Sequence, residues 1–201
     1  MILDALNLLV GQLNQYVRVV GETDPVQLGN IAFLEAQGGG NDNNNGGQDL
    51  QRIVLSLVNL EEEKTLKNLP RVRQVGAESR YVEPPVHLNL YLLLSANLSS
   101  YEGSLRGLSQ VIEFFQANRS FSMQLTPPST GLPDDPRVQE LQMHLDLHTL
   151  SFQEINDLWG SLGGKQVPFV MYKARLLKLR ARRPERAAPA IHSIDIAAQA
   201  D

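Results

Sequence analysis

The stretch VHLNLYLLLSA, residues 86–96, decides the fold class. Its first half alternates polar side chains with leucines and its second half is continuously apolar, which is typical of a strand in the middle of a sheet. Pro84 and Pro85 precede the stretch, and Ser99 and Glu102 after it have the spacing of a helix capping box. The sequence therefore predicts a central strand that leads directly into a helix.

The segments that follow the central strand alternate between helix and strand patterns. The predicted helix has its apolar residues at three- and four-residue steps and ends at Asn118: Tyr101, Leu105, Leu108, Ile112 and Phe115. Residues 121–125 and 139–150 alternate as strands on either side of a proline-rich loop. Ser151 and Glu154 form a second capping box, whose helix contains Trp159 and ends at Gly163, and residues 167–179 predict a last strand.

The N-terminal side predicts a helix over residues 2–20 and strands over 26–35 and 53–60. If these two strands pair as a hairpin, the Gly/Asn-rich residues 38–47 are its tip and form a flexible loop, because glycine is costly to order. Residues 61–80 are charged and rich in turn formers. Within them, the run Glu61–Lys64 is typical of a solvated helix start, and the alternative is that this acidic cluster meets a basic arm from a neighbouring subunit.

The order of these segments predicts an α+β fold, with a mixed, mostly antiparallel sheet and helices packed on one face. We expect one domain over residues 1–179, followed by an extended C-terminal arm over residues 180–201. Pro184 and Pro189 disfavour a regular helix in the arm.

Composition excludes several classes of protein. The 201 residues include no cysteine, which excludes disulfide frameworks, thiolate metal sites and cysteine nucleophiles and suits a reducing cytoplasm. The net charge of −4 argues against a general nucleic-acid binder, and no apolar run is long enough to predict insertion into a membrane. There is no P-loop, dinucleotide-binding or Gly-x-Ser-x-Gly motif, so we expect neither a cofactor nor an enzyme.

Charge is concentrated near the C-terminus. Residues 1–172 hold 11 Lys and Arg against 19 Asp and Glu, whereas residues 173–186, here termed the basic segment, hold seven cations and one acid. The cations are Lys173, Arg175, Lys178, Arg180, Arg182, Arg183 and Arg186. We favour a contact between subunits, with a solvated strand edge as the second interpretation; nucleic-acid binding ranks below both, because aromatic residues are missing.

The arm beyond the basic segment contains apolar anchors in an alanine-rich tail: Ile191, Ile194 and Ile196. Such a segment can add as a strand to the sheet edge of another chain, although a frayed terminus is the alternative.

One group of residues raises the hypothesis of a metal site. His144, Asp146 and His148 are two residues apart on the polar side of a predicted strand, which places them on one face. A metal-binding or enzymatic domain that uses these three residues is the alternative function. We favour a solvated or interface face, because no fourth ligand is evident.

Four blocks of the sequence together resemble a known family. The blocks are VQLGNIAFL (26–34), VLSLVNLEEEKTLKN (54–68), PPVHLNLYLLLSANLSSYEGSLRGLSQVIEFFQ (84–116) and LHTLSFQEINDLWGSLGGKQVPFVMYKARLL (147–177). They look like the N-terminal domain of cap proteins from contractile injection systems, the phage-tail-like particles exemplified by the antifeeding prophage and the Photorhabdus virulence cassette. The resemblance covers about residues 1–180.

The resemblance implies a structural protein without enzymatic activity. Such caps resemble phage tail terminators and would form a hexameric ring that ends the inner tube and sheath and holds the sheath extended. The partners implied are further copies of the chain and the sheath and tube proteins. The implied location is the cytoplasm during assembly and then the finished particle. A ring of like subunits needs heterologous contacts that close by rotation, and an acidic body that meets a basic segment offers one.

Overall fold

The computed structural model describes residues 1–17, 25–32, 52–64, 72–75, 78–81, 85–123, 135–163, 165–179 and 186–189. The helices in these segments are α1 (Ile2–Tyr16), α2 (Tyr101–Ala117), α3 (Pro136–Gln139) and α4 (Phe152–Ser161). The strands are β1 (Val26–Leu28), β2 (Arg52–Glu62), β3 (Val72–Val75), β4 (Glu78–Tyr81), β5 (Val86–Asn97), β6 (Ser120–Ser122), β7 (Gln142–Leu147), β8 (Phe169–Leu179) and β9 (Arg186–Pro189).

Six of these strands form one sheet in the order β1-β2-β5-β8-β7-β6. All neighbours in it are antiparallel except β1 and β2, which run parallel. The predicted α+β class with a mixed, mostly antiparallel sheet is therefore confirmed. The stretch 86–96 lies in β5, which pairs with β2 on one side and β8 on the other, as a central strand must.

The predicted N-terminal hairpin is wrong. β1 ends at Leu28 rather than near residue 35, and its parallel pairing with β2 requires a crossover connection instead of a tight hairpin. The side chain of Asn14 on α1 explains the placement, because it bonds both the N–H and the C=O of Val26 at 2.8 Å. The predicted flexible loop, residues 38–47, lies outside the described residues.

One face of the sheet is covered by α1 and α2, as predicted. Leu92 and Leu94 of β5 point toward these helices and join the main core, whereas Leu93 points to the opposite face. α1 ends at Tyr16, with Val17 as its extended C-cap, and residues 18–20 of the predicted helix lie outside the described residues. No helix in the described segments has the length and apolar content needed to cross a bilayer.

α2 begins and turns differently from the prediction. Its N-cap is Ser100, not Ser99, because the Ser100 hydroxyl accepts the N–H of Gly103 at 3.0 Å; its end at Asn118 is as predicted. The predicted inner stripe is only partly buried: Tyr101, Leu105 and Ile112 are 70%, 44% and 42% exposed. The buried face consists of Ser104, Gly107, Leu108, Val111, Phe114 and Phe115.

Gly107 lies at the closest approach of α2 to the sheet. A Cβ atom there would lie 2.9 Å from Cδ1 of Ile53 on β2, so a larger residue would have to displace the end of the Ile53 side chain. The small face of Ser104 and Gly107 therefore lies against the sheet and turns part of the apolar stripe outward.

α4 packs on the opposite face of the sheet, whereas the sequence predicted helices on one face only. The predicted capping box is confirmed, since the Ser151 N–H donates to the Glu154 carboxylate at 2.8 Å and the Glu154 N–H donates back to the Ser151 hydroxyl. Gly163, with φ of 111°, ends the turn after the helix. Trp159 is buried against Leu93 and Phe169, which shows what the only tryptophan covers.

The strands before and after the proline-rich loop are shorter than predicted. β6 and β7 pair through Phe121 and Met143, whose side chains are buried in the main core. Leu145 continues this inner face, but Leu147 at the end of β7 is 59% exposed.

A second sheet of three short strands was not predicted. Its order is β3-β4-β9, with antiparallel pairing throughout. β3 and β4 lie in the segment that the sequence characterised only as charged and turn-rich. β9 comes from the predicted arm, so four arm residues pair with β4 of their own chain. The rest of the arm lies outside the described residues, and its boundary at residue 179 stays a prediction.

Candidate functional site

A row of polar side chains crosses the sheet face opposite α1 and α2. Alternation turns these side chains outward, because their neighbours Leu90, Leu145 and Ala174 are buried on the helix side. This row, here termed the polar belt, consists of Glu61, Tyr91, Lys173, Arg175, Asp146, His144 and Ser120. It contains two predicted partner-binding residues, Lys173 and Arg175.

The first half of the polar belt joins β2, β5 and β8. Oε2 of Glu61 accepts hydrogen bonds from the Tyr91 hydroxyl at 2.8 Å and from Nζ of Lys173 at 3.2 Å. Nζ of Lys173 also lies 5.0 Å from the centroid of the Tyr91 ring. These contacts lower the pKa of the Glu61 carboxyl, and contact with Tyr91 and Glu61 raises the pKa of Lys173.

The second half of the polar belt joins β8, β7 and β6. Nε of Arg175 lies 2.8 Å from Oδ2 of Asp146, and Nε2 of His144 lies 3.4 Å from Oδ1 of the same carboxylate. Nδ1 of His144 is 3.1 Å from the Ser120 hydroxyl. The two halves together link side chains of five neighbouring strands across the outward face.

The other predicted partner-binding residues lie toward or beyond the end of β8. Lys178 is in register with His87 on β5, and Arg186 on β9 is in register with Tyr81 on β4. The remainder lie outside the described residues: Arg180, Arg182, Arg183, Ile191, Ile194 and Ile196. The role of the basic segment toward a partner stays a prediction.

The residues of the metal hypothesis do not form a ligand set. His144 and Asp146 are engaged with Ser120 and Arg175, while the ring of His148 packs edge-on against Tyr91 at a centroid distance of 5.2 Å. Among the described residues, no three His, Asp or Glu side chains are arranged to hold a metal ion. The geometry therefore favours the interpretation of a solvated or interface face.

The sequence did not predict which acidic side chains pair with Lys173 and Arg175. It placed Glu61 in a solvated helix start, but β2 continues through Glu62 and brings Glu61 opposite Asn89 of β5. The sequence signal for these partners was the alternation of the polar residues Asn89 and Tyr91 on β5. It indicates a polar face of the sheet, and a strand paired with β5 contributes polar side chains to the same face.

The sequence did not predict the exposure of two large apolar side chains. Phe152, the first residue of α4, is 92% exposed, and Leu147 at the end of β7 is 59% exposed. Their spacing fits a buried face as well as an exposed one, so only the tertiary structure shows them outside.

We expect Glu61→Gln to lower the melting temperature slightly at neutral pH, because the variant lacks the charge that Tyr91 and Lys173 stabilise. Since the pKa of Glu61 lies below its ordinary value of 4.5 in the folded protein, the advantage of the wild type is fully present above pH 4.5. It is lost as the pH falls below 4.5 and the folded carboxylate is protonated. Melting curves across this range check the prediction, with Glu113→Gln on α2 as the control for loss of one exposed carboxylate. Equal stability of E61Q and wild type at neutral pH would contradict it.

Solved structures with the same fold come from injection particles. A sheath and tube terminator of the PVC extracellular contractile injection system, in its extended state, matches with a TM-score of 0.61 and 11% identity over 100% of this chain. The tube-terminating cap of the anti-feeding prophage matches with a TM-score of 0.62 and 14% identity over 98% of it. The chain spans 63% and 61% of the lengths of these two proteins.

Comparison with protein families gives an assignment over nearly the whole chain. No match was found among the curated proteins. The model of the Pvc16 N-terminal domain matches residues 4–193, which include both sheets and, apart from the first two residues of α1, the helices described above. The chain therefore belongs to the Pvc16 N-terminal domain family.

Proposed function

We propose that the protein is a structural cap of a phage-tail-like contractile injection particle. In this proposal, six copies form a ring that ends the inner tube and the sheath and holds the sheath extended. The observation that carries the proposal is the match of 98% or more of this chain to two proteins that terminate such tubes. The protein acts by contact rather than by catalysis, assembles in the cytoplasm and stays in the finished particle.

The polar belt supports two different roles within the basic segment, pairing inside the chain and contact with a neighbour. Lys173 and Arg175 are paired with Glu61 and Asp146 of their own chain, so they shape the outward face. The charge that reaches a neighbour therefore comes from the residues that follow: Lys178, Arg180, Arg182, Arg183 and Arg186. Ile191, Ile194 and Ile196 then add apolar burial, each worth about 1.5–3 kcal/mol if fully covered.

A particle reconstruction tests the cap function. We expect co-expression with tube and sheath proteins, followed by electron cryomicroscopy, to place this chain as a sixfold ring at the end of the tube. A monomer in dilute solution agrees with the proposal if the ring needs the tube end to form. Density for the chain along the sheath shaft, or in a ring of another symmetry, would overturn it.

We expect replacement of Arg180, Arg182 and Arg183 by glutamate to weaken assembly more at low salt than at high salt. Salt screens charge attraction over a Debye length of about 10 Å at 0.1 M, so an electrostatic docking step must depend on ionic strength. The measurement is the fraction of capped particles at several salt concentrations, with the same three residues changed to lysine as the control. An effect independent of salt would assign these arginines a role other than charge.

A further inference from the structure

The pairing of β9 with β4 suggests how the arm meets a neighbour. β9 follows β8 after six intervening residues and pairs antiparallel with β4 along its full length. The four register pairs run from Glu78 opposite Pro189 to Tyr81 opposite Arg186. β9 thus completes an edge of β4 that would otherwise offer unpaired backbone groups.

The order of the second sheet indicates that the pairing of β9 with β4 can be broken without disrupting the six-stranded sheet. β3-β4-β9 repeats the order of the central strands β2-β5-β8, and each short strand is adjacent in sequence to its long counterpart. β3 and β4 form a hairpin joined by two residues, but β9 is a separate strand. Its pairing with β4 therefore does not depend on a turn shared by the two strands.

We propose that, in the assembled ring, β9 of each copy pairs with β4 of the adjoining copy. The proposal rests on the cap function proposed above. Strand pairing uses backbone groups, so β4 accepts β9 of another copy with the same register that it has within one chain. Exchange of an identical element is a low-cost route to association, and around a closed ring it leaves every β4 paired.

The reach and charge of the connection fit this partner. From Leu179 to Arg186 the chain can span at most about 25 Å, which sets the greatest distance at which β4 of a neighbour could receive β9. The connecting residues 180–185 contain three arginines and one glutamate, whereas residues 1–172 carry an excess of acids. A second copy of this acidic body is thus a surface that attracts the connection.

Disulfide trapping can detect the exchange of β9 between copies, because the chain has no cysteine that would interfere. The double variant Ser79→Cys with Ala188→Cys, and a second pair, Arg80→Cys with Ala187→Cys, place thiols at register partners of β4 and β9. Adjacent register pairs of an antiparallel ladder alternate between hydrogen-bonded and non-hydrogen-bonded geometry. One of the two cysteine pairs therefore has its Cα atoms closer together, which favours a disulfide. Ser79→Cys with Ala187→Cys is one position out of register and serves as the control.

We expect oxidation of purified particles to link chains into a ladder of dimers and higher multimers on a non-reducing gel. The same variants oxidised in dilute solution should give a monomer with an internal disulfide, and the out-of-register control should give neither product. Particles assembled from a mixture of the single variants Ser79→Cys and Ala188→Cys should give a mixed dimer, which only exchange can produce.

The outcomes separate this proposal from the cap function. Monomeric internal disulfides in particles that carry the sixfold end ring would overturn the exchange and leave the cap function standing. The absence of the ring from the tube end would overturn the cap function whichever disulfide forms. A loss of folding in one cysteine pair, seen by circular dichroism, leaves the decision to the other pair.

Discussion

A protein truncated after Leu179 is expected to fold normally and to fail completely as a cap. The six-stranded sheet and the helices on both of its faces are complete by that residue. The truncation removes only β9 and its pairing with β4 from the described contacts. The melting temperature should therefore stay close to that of the full-length protein, because the two hydrophobic clusters keep all their residues.

Capping is expected to be lost because the truncation removes most of the cations and all three apolar anchors that we assign to the neighbour. The measurement is the length distribution of particles by electron microscopy, with sheaths of uncontrolled length or no sheaths as the expected result. A full-length variant with Ile191, Ile194 and Ile196 changed to serine separates apolar burial from charge. Normal capping by the truncated protein would show that the arm takes no part in assembly.

The sequence predicted best those elements whose local pattern has one interpretation. β5 is flanked by prolines and a helix start and is apolar on both faces in its second half, so its central place follows from residues 86–96 alone. The Ser151 and Glu154 capping box is equally local, because both partners lie within one turn of α4. In both cases the residues that decide the structure are neighbours in sequence.

The prediction failed where distant residues decide the structure. The start of β1 is held by an amide side chain from α1, Asn14, and no pattern within residues 25–35 records this contact or the parallel pairing. The rotation of α2 brings Gly107 against Ile53 across the core, a contact between residues far apart in sequence. The apolar stripe of α2 was visible in the sequence, but its orientation was not.

The candidate site was also predicted only where the deciding residues are neighbours in sequence. Lys173 and Arg175 were selected from their charge and alternation, but their acidic partners depend on the register of three strand pairs. Register shifts lie between Leu57 and Asn59 on β2 and between Leu88 and Leu90 on β5. Each irregularity changes which side chains meet, and turn or propensity signals do not predict it.

We expect Phe115→Ala to destabilise the protein by about 3–5 kcal/mol, a large fraction of the stability of an ordinary domain. Phe115 is 2% exposed, and its ring lies 4.6 Å from that of Tyr172 on β8 and 5.2 Å from that of Phe114. The variant leaves a cavity between α2 and the sheet and removes these aromatic contacts, so the cost exceeds simple transfer of the side chain to water.

The matched control is Ile112→Ala, one turn earlier on the same helix. The sequence places both residues on one apolar stripe, but Ile112 is 42% exposed, and alanine has the higher helix propensity. We therefore expect a cost below about 1 kcal/mol for Ile112→Ala, measured by urea denaturation with circular dichroism. Equal losses in the two variants would mean that the predicted stripe is the true inner face of α2 and that the orientation described here for the helix is wrong. A stable Ile112→Ala protein that assembles poorly would instead place the exposed side of α2 at a contact between subunits.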